Sequence, residues 1–245
     1  MRPVTRARGA TVTSTTDTAD VLARGEVTLK GRMPWSSNAT FLTEVALEGA
    51  SALAVYRPER GERPLWDFPR GLFKRELAAW HLSEALGWGL VPLTIRRDGP
   101  YGEGSFQLFI HADFEQHYFT LHENAAHHGR LKRICLFDLL ANNADRKSGH
   151  CLLGPDGDIY AVDNGLCFHE DPKLRTVIWE FGGEPIPGEM LDDVRRFARA
   201  KLPKPLAALL DGPEQKALRE RAGEVAASEC FPVDTGGHRY PWPLV

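Results

Sequence analysis

Two aspartates and a lysine that could act on metal-bound phosphates lie in the segment 143–165, NADRKSGHCLLGPDGDIYAVDNG. Asp145 and Lys147 are near its start, and Asp163 precedes an Asn-Gly turn near its end. Phosphoryl transfer requires a carboxylate that orients the attacking hydroxyl, cations on the phosphates, and a second carboxylate that holds metal ions. Asp145, Lys147 and Asp163 fit these roles in that order.

A β-hairpin predicted between the two aspartates would bring them together. Asp156-Gly157 is a strong signal for a two-residue turn, because both residue types tolerate the positive φ angles that such a turn needs. Antiparallel pairing about this turn places His150 opposite Asp163. Asp145 lies only five residues before His150, so its loop can fold back over the same strand ends.

Protein kinases use the same spacing, but with a metal-binding asparagine five residues after the first aspartate. Here that position is His150. Imidazole suits manganese better than magnesium, which prefers oxygen ligands. We therefore expect His150 either to bind metal beside Asp163 and favour Mn²⁺, or to leave the metal to Asp163 and position the loop. The same residue types are common in surface loops, so the spacing alone leaves an ordinary loop open.

Several motifs in order resemble the phosphatidylinositol 3- and 4-kinase superfamily, nearest the type II phosphatidylinositol 4-kinases. NADRKSGHCLL and IYAVDNGLCFH resemble its catalytic and metal-binding segments, and GSFQLFI at 104–110 resembles its hinge. SSNATF, AVYRP, ERPLWDFPRG and KRELAAW also follow the family order. The resemblance extends from about residue 27 to about residue 181, and it is strongest to short actinobacterial members.

This resemblance implies a two-lobed protein-kinase-like fold of the α+β class, with an antiparallel-sheet N-lobe and a mainly helical C-lobe. It also implies ATP and Mg²⁺ or Mn²⁺ as cofactors, with Asp163 and His150 as metal ligands. At the hinge, backbone groups of Gln107, Leu108 and Phe109 would hydrogen-bond to adenine.

The segment 31–42, GRMPWSSNATFL, is the candidate cover for the ATP phosphates. Ser36, Ser37 and Asn38 are small polar residues that can turn the chain and offer N–H groups and hydroxyls to phosphate oxygens. The segment has neither a Walker pattern nor GxGxxG, and by itself it would be an ordinary hairpin loop. Its position before the strand that carries Arg57 supports the phosphate-binding interpretation.

Helical periodicity indicates that the carboxylate of Glu76 lies on a buried helix face. It falls within an apolar helical stripe that contains Phe73, Leu77 and Trp80. An unpaired charge on a buried face is costly, so Glu76 needs a partner, and Arg57 at the end of an apolar strand is the candidate. In the resembling kinases this pair is a strand Lys and a helix Glu that position the ATP phosphates, so Arg57 departs from the pattern. The alternative is that Glu76 reaches solvent at the edge of the stripe.

Strand-like runs and helical periodicity divide the chain into two lobes. The predicted N-lobe strands span 26–32, 41–47, 52–57, 91–97 and 105–110, with a helix at 70–86. The predicted C-lobe helices span 130–142, 188–200, 203–211 and 214–228. In the first of these, Asp138 lies on a buried face, where we expect it to bond to the loop backbone. The resulting divisions are a flexible tail at 1–22, an N-lobe with hinge at 23–110, and a C-lobe at 111–245.

Composition agrees with a compact cytoplasmic enzyme. The 245 residues are 42% hydrophobic and the net charge is −3, so nothing indicates a nucleic-acid partner. No segment has the ~18 apolar residues of a transmembrane helix. The four cysteines have no CxxC spacing, which indicates reduced thiols in a reducing compartment.

Two functions of different classes remain open from the sequence. The first is an active ATP-dependent phosphotransferase that acts on a hydroxyl acceptor, either protein Ser/Thr or a small molecule. A lipid acceptor is less favoured, because the segment after Asp163 has Lys173 and Arg175 but no dense basic cluster for an inositol phosphate headgroup. The second is a nucleotide-binding pseudokinase, which the substitutions at Arg57 and His150 support. A non-nucleotide interaction domain is a third alternative.

Overall fold

The N-terminal lobe is built on a five-stranded antiparallel sheet. The computed structural model describes residues 17–34, 36 and 38–244. Helix α1, Thr18–Arg24, precedes strands β1 (Glu26–Arg32), β2 (Phe41–Leu47), β3 (Ala50–Pro58), β4 (Thr94–Gly99) and β5 (Gly102–Leu108). The strand order is β1-β2-β3-β5-β4, and all neighbours are antiparallel. The predicted N-lobe sheet is confirmed, although β4 and β5 are displaced by a few residues from their predicted bounds.

Helix α1 covers the outer face of this sheet. Strand side chains alternate between faces, and one buried cluster joins α1 to the outer face through Val21, Leu22, Val45, Ala54, Tyr56 and Phe106. Asp17 caps the helix, since its Oδ1 accepts the Ala19 N–H at 3.3 Å. The prediction of a flexible tail is therefore wrong for residues 17–22, because two buried apolar side chains fix this turn of helix to the sheet. The rest of the predicted tail, residues 1–16, lies outside the described residues.

Helix α2, Leu72–Leu86, packs between the sheet and the C-terminal lobe. It follows Gly71, whose φ is 87° and which provides no side-chain cap. Glu62 supplies the missing cap, because its carboxylate accepts the N–H groups of Gly71 and Phe73, both at 2.8 Å. Gly87, with φ 74°, ends the helix in the left-handed conformation.

The C-terminal lobe is mainly helical. Its elements are α3 (Tyr118–His122), α4 (His128–Ala141), β6 (Cys151–Leu153), β7 (Ile159–Ala161), α5 (Gly188–Arg199), α6 (Lys204–Ala207) and α7 (Gly212–Ala227). Short 3-10 turns span Glu59–Gly61, Ala125–His127 and Ser148–His150. An antiparallel sheet in one lobe and helices in the other confirm the predicted two-lobed α+β class. Among the described residues, no helix combines the length and apolar character needed to span a membrane.

The β6–β7 hairpin has a longer loop than the sequence predicts. Its register leaves a three-residue loop, 155–157. Of the two predicted turn residues only Gly157 has a positive φ, at 80°, which is the pattern of a type I turn followed by a left-handed glycine. The pairing therefore shifts by one residue, and the backbone carbonyl of His150 accepts the N–H of Val162 at 3.0 Å. The predicted pairing of His150 with Asp163 is wrong.

We predict that Leu22→Ala lowers the free energy of unfolding by about 2–5 kcal/mol, because a buried leucine is removed from the contact between α1 and the sheet. Urea denaturation measures the loss. Leu65→Ala is the control: Leu65 is 40% exposed, so the same truncation should cost about 0.5 kcal/mol or less. Equal losses in the two variants would contradict the packing of α1 on the sheet.

Candidate active site

A fully buried guanidinium fixes the loop that carries Asp145. The side chains of Arg146 and Asp138 are both 0% exposed and form an ion pair at 3.0 Å. Arg146 also donates to the Val162 carbonyl and to Oδ1 of Asn164, each at 2.7 Å. Breaking such a pair would leave an uncompensated buried charge. One side chain thereby ties α4, the Asp145 loop and the segment after β7 together.

The partners of Asp138 differ from the prediction. Its carboxylate bonds to side chains rather than to the loop backbone: to Arg146, to Asn143 at 3.0 Å and to Thr176 at 3.2 Å. A buried cation compensates the charge of Asp138 better than neutral backbone amides can, and this explains why Arg146 is its partner instead of the loop backbone. Burial raises the pKa of the Asp138 carboxyl, and Arg146 opposes that rise. The sequence reasoning missed Arg146, although the need to pair a buried carboxylate could have pointed to an arginine eight residues later.

Asp145 and Lys147, the predicted catalytic residues, form an ion pair with each other. Their side chains are 28% and 19% exposed, so both remain reachable from solvent. The Asp145 N–H donates to Oδ1 of Asn143 at 2.9 Å, which turns the loop locally. Burial raises the pKa of the Asp145 carboxyl, while Lys147 acts against it. This leaves one carboxylate and one ammonium side by side at the end of α4.

Asp163 lies at the centre of a second set of charges. Its Oδ2 is 3.3 Å from Nε2 of His150, and its Oδ1 is 3.7 Å from Nη2 of Arg57. Its side chain is 52% exposed, and its φ of 58° is a left-handed conformation that is strained for a non-glycine residue. Although burial opposes it, His150, Arg57 and Lys147 hold the pKa of the Asp163 carboxyl below its usual value. Asp163 is therefore an ionised carboxylate that is open to a ligand.

The structure contains the predicted contact between Arg57 and Glu76. Nε of Arg57 is 3.4 Å from Oε1 of Glu76, which is 1% exposed, so the alternative of a solvated Glu76 is wrong. The other carboxylate oxygen accepts the Asn164 N–H at 3.1 Å. Burial raises the pKa of Glu76, and Arg57 acts against this rise. Within the described part of the chain, the buried Nη1 of Arg57 has no hydrogen-bond partner.

His150 is held by both ring nitrogens. Its Nδ1 accepts the Lys147 N–H at 3.3 Å, and its Nε2 faces Asp163. A neutral ring that accepts at Nδ1 carries its proton at Nε2, the nitrogen that lies 3.3 Å from Oδ2 of Asp163. Burial lowers the pKa of His150 to about 4, which keeps the ring neutral. Both expectations for His150, as a metal ligand and as a residue that positions the loop, stay predictions.

The donor set fits a hard divalent cation shared with phosphates. Over residues 17–34, 36 and 38–244, no group of three or more His, Cys, Asp or Glu side chains is arranged to hold a metal by itself. Magnesium commonly takes one or two protein carboxylates and completes its shell with phosphate oxygens and water. Asp163, half-exposed and ionised, is suited to such a site, whereas the described residues offer no closed metal cage.

In the candidate phosphate cover, Ser36 bonds within the segment and Asn38 bonds to the segment after β3. The hydroxyls of Ser36 and Thr40 are 2.9 Å apart, and Oδ1 of Asn38 accepts the Arg63 N–H at 2.9 Å. These side chains shape the β1–β2 loop and are not brought to the acidic residues of the site by any described hydrogen bond. Ser37 lies outside the described residues. Contact of this loop with phosphates stays a prediction.

The predicted hinge donors are used inside the sheet. Gln107 is 2% exposed, and its backbone lies in the sheet between Val55 of β3 and Thr94 of β4. The N–H groups of Leu108 and Phe109 donate to backbone carbonyls on both sides, at 2.8 and 2.9 Å. These three donors therefore cannot bind adenine without breaking sheet bonds, because β5 is a central strand paired with β3 and β4. Among the described residues, the next N–H groups, at 110–112, have no hydrogen-bond partner.

Comparisons with known proteins bear on fold and family. No protein-family model matches the chain. It is 42% identical to Protein Rv2133c of Mycobacterium tuberculosis over 273 aligned positions, covering 96% of this chain and 98% of that protein. Among solved structures, the Helicobacter pylori proinflammatory kinase CtkA superposes with a TM-score of 0.51 at 11% identity, covering 85% of this chain and 94% of that one. Fam20 of hydra, solved with sugar, gives 0.50 at 12% identity, covering 84% and 87%.

These likenesses confirm the predicted kinase-like fold. At 11% and 12% identity they concern the fold alone. The narrower resemblance to phosphatidylinositol kinases stays a prediction.

We predict that the free energy of unfolding decreases as the pH falls from about 6.5 to about 4. In this window the unfolded chain binds a proton at His150 and the folded chain does not, because burial lowers the folded-state pKa to about 4. Urea denaturation across the window measures the effect. His150→Asn should flatten this part of the profile, and an equally steep profile in the variant would contradict a buried neutral ring.

Proposed function

Because the chain belongs to the same family as Protein Rv2133c of Mycobacterium tuberculosis and has a kinase-like fold, we propose that it is an ATP-dependent phosphotransferase. The observation that supports this most is one continuous chain of contacts. It runs from Glu76 through Arg57, Asp163 and His150 to the Lys147–Asp145 pair. The set contains an acceptor-orienting carboxylate, a metal-binding carboxylate and two cations, which are the components that phosphoryl transfer needs.

Asp145 and Lys147 act on the acceptor side of the reaction. Asp145 accepts a hydrogen bond from the acceptor hydroxyl and orients it toward the γ-phosphate. Lys147 is paired with Asp145 and can turn its ammonium group toward an incoming phosphate, which carries more charge than one carboxylate. The partial exposure of both side chains allows an acceptor to reach them.

Arg57 and Glu76 act on the nucleotide side. Arg57 binds phosphate oxygens through its guanidinium, and Glu76 fixes its orientation. Arginine supplies a planar, bidentate fork where the resembling kinases have lysine, so the phosphate contacts differ in reach and shape. Asp163 holds Mg²⁺ or Mn²⁺, which when bound neutralises charge on the phosphates.

Adenine contacts the backbone that follows β5. The N–H groups at 107–109 belong to sheet hydrogen bonds, whereas those at 110–112 have no partner in the described structure. An adenine edge needs one donor and one acceptor from adjacent backbone groups. We therefore assign the hinge to 110–112, a few residues after the position expected from sequence.

The acceptor is a protein Ser/Thr or a small hydroxyl compound. Lys173, one of the two cations noted after Asp163, is paired with Asp67 at 3.2 Å and lies over the ring of Phe68. Arg175 is exposed and near enough to affect Asp145 electrostatically. One exposed arginine is less than the basic cluster expected for an anionic inositol phosphate headgroup, so a phosphatidylinositol acceptor is the less favoured choice.

A nucleotide-binding pseudokinase is the second candidate. Arg57 contacts Asp163 as well as Glu76, and His150 occupies one oxygen of Asp163. If these contacts persist with nucleotide bound, Asp163 has less capacity to hold metal, and the protein binds ATP without efficient turnover. The two candidate functions use the same nucleotide site, and they differ in the rate at which the γ-phosphate is transferred.

Release or transfer of the γ-phosphate with Mg²⁺ and with Mn²⁺ tests the proposal. We expect Asp145→Asn to lower kcat by about 10²–10⁴-fold and to retain ATP binding, because it removes the group that orients the acceptor. Asp163→Asn should lose metal-dependent turnover. Asp192→Asn, an exposed carboxylate on α5, is the control and should leave turnover unchanged.

The possible outcomes separate the candidates. ATP-dependent thermal stabilisation of the wild type without metal-dependent turnover would favour the pseudokinase. Absence of any thermal shift with ATP and metal would instead favour a non-nucleotide interaction domain.

His150→Asn tests whether this residue binds metal. Because the His150 ring lies against Asp163, we expect the variant to weaken the activation constants for both Mg²⁺ and Mn²⁺ by about 10–100-fold and to leave their ratio unchanged. Turnover titrated with each metal provides the measurement. A change in preference from Mn²⁺ to Mg²⁺ would show that His150 is itself a ligand.

A further inference from the structure

Helix α2, which carries Glu76, packs into the core of the C-terminal lobe. Its residues Ala78, Ala79, Leu82 and Leu86 are at most 1% exposed, and they belong to the same buried cluster as the apolar side chains of α4, α5 and α7. The core between the sheet and α1 is a separate cluster. By its apolar contacts, α2 is therefore continuous with the C-terminal lobe.

A buried ion pair adds a directional link between α2 and the C-terminal lobe. Arg75, the neighbour of Glu76, forms a hydrogen-bonded ion pair with Glu214 of α7, and the two side chains are 4% and 9% exposed. The second carboxylate oxygen of Glu214 accepts the Asp211 N–H at 3.0 Å, which completes the capping box of α7. The Arg75 guanidinium also lies 5.6 Å from the ring centroid of Phe68.

The C-terminal end of α2 is also attached to that lobe. Arg196 of α5 donates to the carbonyl of Leu86 at 3.2 Å. Just beyond the helix, Nε1 of Trp88 donates to Asp193 of α5 at 2.8 Å. The helix is thus held near both ends and along its apolar face.

We propose that Arg75 is a positioning residue, whose ion pair with Glu214 fixes Glu76 relative to Asp163. This inference rests on the proposed phosphotransferase function. Glu76 accepts the Asn164 N–H at 3.1 Å, so Glu76 and the Asp163 segment form one unit with the C-terminal lobe. Arg57 belongs to β3 of the sheet, and it completes the site through its contacts with Glu76 and Asp163.

The energetics of buried ion pairs favour a positioning role over a stabilising one. Desolvation of two charges offsets most of their attraction, so a buried pair adds little net stability compared with apolar residues of similar size. Its orientation dependence, in contrast, restricts the rotation and sliding of α2 against α7. Arg75 and Glu76 are consecutive, so a small rotation of the helix would move the Glu76 carboxylate away from Arg57.

The double variant Arg75→Met/Glu214→Gln tests the proposal. It removes both charges and leaves no unpaired one, and glutamine still accepts the N-cap N–H in a capping box. We expect the KM for ATP to rise on the order of tenfold, with kcat less affected, since Arg57 loses alignment with phosphate in ground state and transition state alike. Lys216→Met/Glu220→Gln, an exposed pair on the same α7, is the matched control and should leave KM unchanged.

A thermodynamic cycle separates positioning from a general loss of structure. In a Glu76→Gln background, the Arg75→Met/Glu214→Gln change should have no further effect on the KM for ATP, because Arg75 acts through Glu76. An unchanged KM in the wild-type background, or an equal rise in both backgrounds, would overturn the positioning role. If the wild type shows neither ATP binding nor turnover, it is the proposed function that fails.

Arg75→Lys keeps the inference testable if the double variant does not fold. Lysine retains the charge but lacks the planar fork of arginine, so the pair persists with a looser geometry. We expect a rise of about threefold in the KM for ATP at an unchanged melting temperature. A KM equal to that of the wild type would overturn the proposal.

Discussion

The buried ion pair between Arg146 and Asp138 is the interaction on which the site depends. Neither charge can remain ionised at 0% exposure without the other, so the fold must keep α4 and the loop after it in contact. The remaining donors of Arg146 reach Val162 and Asn164, the two neighbours of Asp163. Asp145, next to Arg146 in the chain, and Asp163 are thereby placed relative to each other by one side chain.

Under the proposed function, the alternating charges of the site would allow it to accept a triphosphate. Arg57 is shared between Glu76 and Asp163, and Lys147 is paired with Asp145. Each cation therefore has a carboxylate partner that phosphate oxygens can replace, which releases a carboxylate for metal or acceptor. The strained backbone of Asp163, with φ 58°, is maintained by this network rather than by local preference.

Local patterns in the sequence predict many of the residues of this site. Helical periodicity placed Glu76 on a buried face, and the rule that a buried charge needs a partner led to Arg57. Residue spacing placed Asp145, Lys147 and Asp163 near one hairpin. These inferences rest on geometry within one element or one turn, where sequence and structure are tightly coupled.

Other features depend on contacts that no local pattern encodes. The Arg75–Glu214 pair joins residues 139 positions apart, and the donors at 107–109 are occupied because of strand pairing on both sides. The hairpin register shifted because a turn with one left-handed glycine holds three loop residues. Helix α1 escaped detection because its two buried residues follow a segment rich in Thr and Arg, whose composition resembles a disordered tail.

A crystal structure with Mn²⁺ and a non-hydrolysable ATP analogue would test whether the site binds a metal-bound triphosphate. We expect anomalous density for manganese at a carboxylate oxygen of Asp163, phosphate oxygens bonded to Arg57, and adenine against the backbone at 110–112. Manganese bound away from Asp163, or a triphosphate that does not contact Arg57, would contradict this expectation.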